Sequence, residues 1–284
     1  MWLVLQWWAV WLLWPDSAAK KSLSAVLAGI LHSLCVMCPV IWILGWPIGS
    51  YGLCMVLGFA CIGLTGIVRG KRLGIRWEDM VICGALALGL GLTCGNVLYL
   101  AVTYRPAELL DRILRLDLQM FQEGFVFYGG MAGGFLGAAL GAQVARCRFS
   151  PILEAVLPSL PFGHGIGRVG CLLAGCCHGM PYTGPLAVRD SVTGATYFPV
   201  QLLETGVNFT IGLYLIVQAK RNKPMPDLLF AYLGLYSAAR FLLEYLRGDG
   251  IRGAAMGLST SQWISVVILA LCVLRRLFGA RESA

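Results

Sequence analysis

Two arginines lie inside strongly apolar stretches of this 284-residue sequence. Arg168 stands in HGIGRVGCLLAGCCHG, residues 164–179, and Arg240 stands in LYSAARFLLEYLRGD, residues 235–249. A charged side chain at the centre of a bilayer costs at least about 2.5–3.5 kcal/mol, so an arginine kept there indicates a functional site. Because a guanidinium is a planar fork of donors that fits a phosphate, the pair predicts a clamp for an anionic group. The alternative is a structural buried ion pair.

The second arginine belongs to a polar stripe on one helical face. Spacings of four, four and three residues place its members on the same side of a helix: Tyr236, Arg240, Glu244 and Arg247. Glu244 is therefore predicted to hold the guanidinium of Arg240 and to leave its other donors for an incoming anion. Gln201 and Glu204 lie within the apolar segment PVQLLETG. Glu204 either orients an arginine, accepts a proton, or only satisfies an interhelical hydrogen bond.

Glycines near these residues offer places where the backbone can approach a ligand. The segment FVFYGGMAGGFLGAALG has overlapping GxxxG spacing, which is typical of closely packed membrane helices. Tyr128 precedes Gly129 and Gly130 in it, so these glycines serve either helix packing or substrate approach. Gly167 and Gly170 flank the first arginine in a similar way and predict close approach of a ligand headgroup.

Cysteines follow the first arginine closely, and eleven occur in the whole chain. The segment CLLAGCCH, residues 171–178, does not have the ligand spacing of standard zinc sites, so neither a metal nor a cofactor is predicted. A CxxC pair, Cys35 and Cys38, leaves open a membrane thiol–disulfide relay. Most other cysteines sit in apolar runs, where a free cysteine behaves as a small hydrophobe.

The composition indicates that these residues work inside a lipid bilayer. Hydrophobic residues make up 58% of the chain, charged residues only 13%, and the mean hydropathy is +0.75. Soluble globular domains carry about 25% charged residues. The net charge of +8 could suggest nucleic acid, but in a membrane protein the positions of Lys and Arg carry the information. We therefore predict a lipid bilayer as partner, an anionic amphiphile such as a phospholipid as ligand, and no nucleic acid.

Eight apolar segments are long enough to be spans of an all-α, polytopic helix bundle. They lie near residues 22–44, 51–68, 80–102, 125–145, 152–177, 199–219, 227–246 and 258–277. No linker or repeat divides the chain, so we predict a single membrane domain, over 39–284. An N-terminal hydrophobic extension over 1–38 precedes it. Tyr51 opens the second span, either as a substrate contact or as part of the aromatic belt.

The positive charges orient these spans. When the chain is threaded alternately through the membrane, fourteen Lys and Arg residues fall on one side and six on the other. Positive charge favours the cytoplasmic side, so the C-terminus is predicted to be cytoplasmic. The outer loop 103–124 carries both charge signs, which predicts a short amphipathic piece at the outer interface.

Six segments match one known family in its own order. They are PVIWILGWPIGSYGLCMVLGF, FVFYGGMAGG, PFGHGIGRVG, FPVQLLE, ARFLLEYLRGD and LSTSQWIS, and they run from Pro39 to about residue 278. Together they resemble the bacterial prolipoprotein diacylglyceryl transferases. The resemblance implies seven spans with an outward N-terminus, to which residues 22–44 would add one more.

The resemblance also implies an activity, its partners and its residues. Such enzymes of the bacterial plasma (inner) membrane move the diacylglyceryl unit of phosphatidylglycerol to the lipobox cysteine thiol of preprolipoproteins, and glycerol phosphate leaves. The implied catalytic residues are Arg168, Arg240, Tyr128, Glu244 and Glu204. The implied substrate-binding residues are Tyr51, Gly129, Gly130, Gly167, Gly170, Gln201, Arg247 and Gln262.

The chemistry fits the two arginines. Arg168 and Arg240 would stabilise the leaving phosphate, the attacking sulfur must be a thiolate, and a base must lie within hydrogen-bond reach of it. Tyr128 stands where family members can carry a histidine. Since a tyrosine is a poor base at neutral pH, Tyr128 either depends on a nearby arginine to act as one or only positions substrate.

Several positions depart from the family pattern. Cys171, Ala174 and Cys176 stand where the family motif has Asn, Asn and Glu, Phe198 replaces a His, and Thr93 stands where the third span tends to have Arg. These departures indicate a divergent member or a paralogue with another acceptor. A membrane thiol–disulfide oxidoreductase and a non-enzymatic lipid-binding or transport protein are the other interpretations.

Overall fold

Helices dominate the fold. The computed structural model describes residues 37–43, 46–117, 119–120, 124–191, 193–248, 254–255 and 257–281. The helices of these ranges are α1 (Ser50–Arg72), α2 (Trp77–Thr103), α3 (Pro106–Leu114), α4 (Phe127–Val144), α5 (Phe149–Val156), α6 (Leu160–Leu173), α7 (Val200–Lys220), α8 (Met225–Leu243) and α9 (Thr260–Arg281). Single 3₁₀ turns, Leu157–Ser159 and Glu244–Leu246, follow α5 and α8.

Short antiparallel hairpins occupy some of the connections. β1 (Val40–Ile43) pairs with β2 (Trp46–Gly49), β3 (Val188–Arg189) with β4 (Thr196–Tyr197), and β5 (Ala254–Ala255) with β6 (Leu258–Ser259). Isolated bridges join Gly179 to Arg247 and Pro181 to Tyr197. The first bridge ties the segment after α6 to the end of α8, so the two arginine-bearing segments of the sequence lie side by side.

The helices are consistent with a multi-pass membrane protein. In the described part of the chain, α1, α2, α7 and residues Thr260–Phe278 of α9 are long and apolar enough to cross a membrane. α4 and α8 form at the positions of the predicted spans 125–145 and 227–246. The full number of spans, seven with an additional N-terminal one, stays a prediction.

The predicted span 22–44 differs from the structure at its C-terminal end. Residues 22–36, like most of the predicted extension 1–38, lie outside the described residues. Val40–Ile43 is a strand rather than a helix, paired from Val40 opposite Gly49 to Ile43 opposite Trp46. Three of its four residues are β-branched, which favours a strand, and the preceding Pro39 disfavours a continuing helix. The helical prediction for residues 40–43 is therefore wrong.

The predicted span 152–177 is interrupted and ends early. α5 stops at Val156, a 3₁₀ turn follows, and α6 runs from Leu160 to Leu173. Pro158 and Pro161 account for the interruption, because proline lacks an N–H and its ring crowds the preceding turn. The helix that carries Arg168 is therefore a separate element of 14 residues.

Glycines of α4 let that helix lie directly against α2. A Cβ added to Gly129, Gly133 or Gly137 would lie 2.2–2.5 Å from a carbonyl oxygen of α2. No side chain fits there, so the close helix approach predicted from the GxxxG spacing is confirmed. Gly129, also predicted as a substrate contact, thus faces the α2 backbone.

The loop 103–124 contains the amphipathic piece predicted for it. In α3, Leu109 and Ile113 line an apolar cavity together with Val97 of α2. Asp111 of α3 pairs with Arg115, the residue that follows the helix, at 2.9 Å. The location of α3 at the outer membrane surface stays a prediction.

Candidate active site

The carboxylate of Glu204 contacts each of the predicted arginines. Glu204 lies on α7 with 1% of its side chain exposed, and its Oε2 pairs with Nε of Arg168 from α6. Its Oε1 is 3.2 Å from Nη1 of Arg240 and 3.8 Å from Nη1 of Arg247. The two arginines singled out inside apolar sequence therefore share one buried carboxylate.

Glu244 pairs with the second terminal nitrogen of the Arg240 guanidinium, Nη2. Its Oε2 lies 2.5 Å from Arg240 Nη2 and 3.9 Å from Arg247 Nε. Its Oε1 accepts a 2.9 Å hydrogen bond from the hydroxyl of Ser259. The Arg240–Glu244 pair expected from the four-residue spacing is present. Arg240 Nη2 also donates to Ser261 Oγ at 3.3 Å, so both ends of this guanidinium are engaged.

Together these side chains form the Arg–Glu cluster, defined as Arg168, Arg240, Arg247, Glu204 and Glu244. Three guanidinium groups and two carboxylates give it a net charge of +1. Arg168 is 17% exposed and the other four side chains are at most 10% exposed. Unbalanced buried charge is costly, so the cluster favours an anionic ligand. Arg168 is the most exposed member of the cluster.

Glycines bring α6 close enough to α1 for this arrangement. A Cβ on Gly58 would lie 2.9 Å from the carbonyl oxygen of Gly163, so the two helices touch through their backbones. Gly170, predicted as a ligand contact, packs against α1, since its Cβ would lie 2.8 Å from that of Cys54. Gly167 is different, because an added Cβ would meet only a sulfur at 3.6 Å. Of these two predicted glycines, Gly167 has room beside it.

The two predicted glutamines support the cluster without joining it. Buried Gln201 donates from Nε2 to the carbonyl of Cys176 at 2.9 Å, which fixes the chain after α6. Gln262 Oε1 accepts the backbone N–H of Ser259 at 2.9 Å. Because the Ser259 hydroxyl donates to Glu244, Gln262 holds the partner of a cluster carboxylate in place.

An aromatic group around His164 was missed by the sequence reasoning. The His164 ring centroid lies 4.8 Å from that of Tyr236 and 6.3 Å from that of Phe127. The hydroxyls of Tyr232 and Tyr236 each lie 3.5 Å from one of its ring nitrogens. The signal was available, since His164 precedes the α6 arginine by one helical turn. Tyr128 makes an edge contact with Phe127 of this group, at 6.0 Å between centroids.

The predicted tyrosines lie at exposed positions near these elements. Tyr128 is 46% exposed and Tyr51 is 43% exposed. Tyr51 is the second residue of α1, and a carbon of its ring would lie 3.4 Å from a Cβ added to Gly170. Gly130 sits under the ring of Phe125, which a Cβ there would meet at 2.3 Å. Their parts in substrate binding stay predictions.

Cysteines stand beside the cluster, and two of them, Cys171 and Cys176, occupy positions that depart from the family motif. The sulfur of Cys171 is 4.0 Å from Arg168 Nη1. The Sγ atoms of Cys171, Cys176 and Cys177 all lie within 4.8 Å of one another. Among the described residues these sulfurs are a possible ligand set for a metal, although their spacing in the sequence argued against one.

Comparison with known proteins identifies the family. Residues 39–277 match the family model described as prolipoprotein diacylglyceryl transferase. A protein of Clostridium perfringens (strain 13 / Type A), named phosphatidylglycerol--prolipoprotein diacylglyceryl transferase 2, is 34% identical over 232 residues, which are 80% of this chain and 89% of that protein. The Arg–Glu cluster lies entirely inside the region matched by the family model.

Two further relatives carry the name phosphatidylglycerol--prolipoprotein diacylglyceryl transferase. The one from Clostridium tetani (strain Massachusetts / E88) is 29% identical over 81% of this chain and 93% of its own length. The one from Bordetella bronchiseptica (strain ATCC BAA-588 / NCTC 13252 / RB50) is 30% identical over 82% and 92%. The chain therefore belongs to the prolipoprotein diacylglyceryl transferase family and is a transferase.

Proposed function

We propose that this chain transfers the diacylglyceryl group of phosphatidylglycerol to the lipobox cysteine thiol of preprolipoproteins, with glycerol phosphate as the second product. The observation that carries the proposal is the buried Arg–Glu cluster, with its net charge of +1. The names of the relatives supply the donor, phosphatidylglycerol, and the acceptor, a prolipoprotein.

The reaction breaks the bond between a glyceryl carbon and a phosphate oxygen. The acceptor sulfur attacks that carbon as a thiolate, and the electron pair of the broken bond leaves with glycerol phosphate. Negative charge grows on the phosphate as the bond breaks, so preorganised guanidinium donors stabilise the transition state more than the ground state. Arg168 is the donor best placed for this, because it is the most exposed guanidinium of the cluster and its Nη1 makes a long contact, 4.0 Å, with the Cys171 sulfur.

The carboxylates orient the arginines in this mechanism. Both oxygens of Glu204 are engaged with guanidinium groups, so neither is available to take a proton from a thiol. Glu244 is engaged in the same way with Arg240 and with a serine hydroxyl. Tyr128 and Tyr51, which are exposed, serve as substrate contacts in this proposal.

We also propose that the protein lies in the bacterial plasma membrane with its C-terminus in the cytoplasm. The last turn of α1 carries Arg69, Lys71 and Arg72, and the last turn of α7 carries Lys220. The end of α9 pairs with the start of α8 through Arg275 and Asp227 at 2.7 Å, so these ends lie together. Basic residues at such ends support a cytoplasmic location.

A transfer assay tests the proposed reaction. The purified chain in detergent is incubated with phosphatidylglycerol and a synthetic lipobox peptide, and the molecular mass of the peptide is measured by mass spectrometry. We expect a gain of one diacylglyceryl unit on the cysteine, and no gain with phosphatidylethanolamine as donor or with serine in place of the cysteine. If the folded chain adds nothing while the C. perfringens relative is active in the same assay, the proposed acceptor or donor is wrong.

The cysteine substitutions favour a second candidate, a paralogue that uses the same donor and another thiol. Cys171 and Cys176 replace polar residues of the family motif beside Arg168, where an acceptor would approach. Transfer from phosphatidylglycerol to a cysteine peptide without a lipobox, combined with no transfer to the lipobox peptide, would support this candidate.

A further inference from the structure

The sulfurs beside the Arg–Glu cluster form a compact set, here called the cysteine cluster (Cys171, Cys176 and Cys177). Their Sγ atoms lie within 4.8 Å of one another. Sulfurs around a tetrahedral zinc ion, with bonds of about 2.3 Å, are about 3.8 Å apart, so small side-chain movements suffice to close the site. We propose that the cysteine cluster binds a zinc ion through three thiolates and that the open fourth position receives the acceptor thiol. The second half of this statement rests on the proposed function.

The end of α6 folds so that these sulfurs meet. The N–H of Gly175 bonds the carbonyl of Leu172 at 3.2 Å, and the N–H of Cys176 bonds that of Cys171 at 3.1 Å. This is the Schellman arrangement, which reverses the chain at a helix end and brings Cys176 back over Cys171. Gly175 has φ +73°, as the arrangement requires.

A second left-handed residue completes the ligand set. Cys177 has φ +58°, which is uncommon for a residue other than glycine. Such conformations persist where the surroundings enforce them, and they concentrate at functional sites. Here Gln201 anchors the turn through its 2.9 Å bond to the Cys176 carbonyl. The turn is thus held in a shape that places the Cys177 sulfur near the other two.

The surroundings suit metal-bound thiolates. Arg168 Nη1 lies 4.0 Å from the Cys171 sulfur. Cationic neighbours favour the thiolate form, which is the form that binds metals. Cys171 is buried whereas Cys176 is exposed, so the site has a closed side and an open side. Zinc with three protein ligands typically keeps its fourth position for water or substrate.

The proposed reaction requires the acceptor cysteine as a thiolate, and a zinc ion at the cysteine cluster would favour that form. The acceptor thiol binds zinc in the fourth position and loses its proton to water. Its sulfur then bonds the glyceryl carbon while the bond from that carbon to the phosphate oxygen breaks. The electron pair leaves with glycerol phosphate beside Arg168, and the ion remains Zn²⁺ throughout.

Metal analysis tests the site without reference to activity. The full chain is purified without chelators, loaded with zinc, passed through a desalting column and analysed for metal and for free thiols. We expect one zinc per chain in the wild type and in the control Cys61→Ser, whose sulfur lies outside the cluster. Cys171→Ser and Cys176→Ser should each weaken zinc binding at least about tenfold, since each removes one of the three protein ligands of the metal. Absence of stoichiometric zinc from reduced protein, or a disulfide within the cluster, would overturn the proposal.

Cobalt in place of zinc tests the fourth position. The visible bands of the cobalt-loaded chain should change when the lipobox peptide is added, and should not change with the serine version of the peptide. If the bands respond to neither peptide, the acceptor does not bind the metal. Transfer that continues after complete metal removal overturns this inference and leaves the proposed function intact. Zinc binding with the peptide-dependent band change but no transfer from phosphatidylglycerol overturns the proposed function and leaves the metal site intact.

Discussion

Replacing Arg168 with lysine should lower the rate of diacylglyceryl transfer by at least about 100-fold, which is typical for loss of one preorganised donor at a developing negative charge. Lysine keeps the positive charge but not the planar fork. Arg168 uses Nε for Glu204 and directs another nitrogen to the place proposed for the phosphate. A single ammonium cannot do both. The measurement is kcat/KM for the lipobox peptide at saturating phosphatidylglycerol.

An arginine on the surface provides the matched control for this substitution. Arg115, at the C-terminal end of α3, has 74% of its side chain exposed and pairs with Asp111, which is 56% exposed. Arg115→Lys should transfer at the wild-type rate, because exposed pairs contribute little. A loss below about tenfold in Arg168→Lys, in protein with the wild-type melting temperature, would contradict the phosphate role.

Replacing Glu204 with glutamine should cost the fold about 3–5 kcal/mol of unfolding free energy, the usual penalty for removing one partner of a buried ion pair. The side chain is 1% exposed and engages Arg168, Arg240 and Arg247. After the substitution, the three guanidinium groups of the Arg–Glu cluster share a single cluster carboxylate, that of Glu244. The measurement is the denaturant dependence of unfolding in detergent, or the folded fraction in membranes if the variant is too unstable to purify.

Glu78→Gln is the control for the loss of one carboxylate. Glu78 pairs with Arg76 at 3.5 Å, and the two side chains are 42% and 73% exposed. Its replacement should change the unfolding free energy by less than about 1 kcal/mol. If Glu204→Gln were equally mild, Glu204 would not be the carboxylate that holds the cluster together.

Part of the site could be predicted from local spacing alone. Arg240 and Glu244 are four residues apart, which places them on one face of a helical segment; α8 ends at Leu243, and Glu244 opens the 3₁₀ turn that continues it. Arg168 and Glu204 are 36 residues apart in the sequence and on different helices, so their contact depends on how α6 packs against α7. The sequence could indicate only that each is a charged side chain whose burial in apolar surroundings costs free energy, and therefore that each needs a partner.

The missed features arise where local chemistry overrides an apolar pattern. Hydropathy predicts a continuous span through Pro158 and Pro161, whereas the prolines divide it. The same pattern extends a span into Val40–Ile43, where β-branched residues pair as a strand. Ligand spacing counts residues along the chain, so it could not reveal that a helix-ending turn folds Cys176 back to Cys171.

The contact between the two clusters explains why the family resemblance and the departures from it occur in the same segment. Arg168 belongs to the Arg–Glu cluster and lies 4.0 Å from the first sulfur of the cysteine cluster. In the proposed reaction, the arginines that the resemblance implies would act on the phosphate. The substituted positions Cys171 and Cys176 would lie where the acceptor thiol approaches. We infer that the donor site and the acceptor site meet at this helix end.

Complementation measures the central claim most directly. The chain is expressed in a bacterium whose own prolipoprotein diacylglyceryl transferase can be depleted, and growth is followed together with lipidation of a reporter lipoprotein. The account predicts that the wild-type chain restores both and that Arg168→Lys restores neither at equal membrane abundance. Failure of the abundant, folded wild-type chain to restore growth or lipidation would contradict transfer to preprolipoproteins.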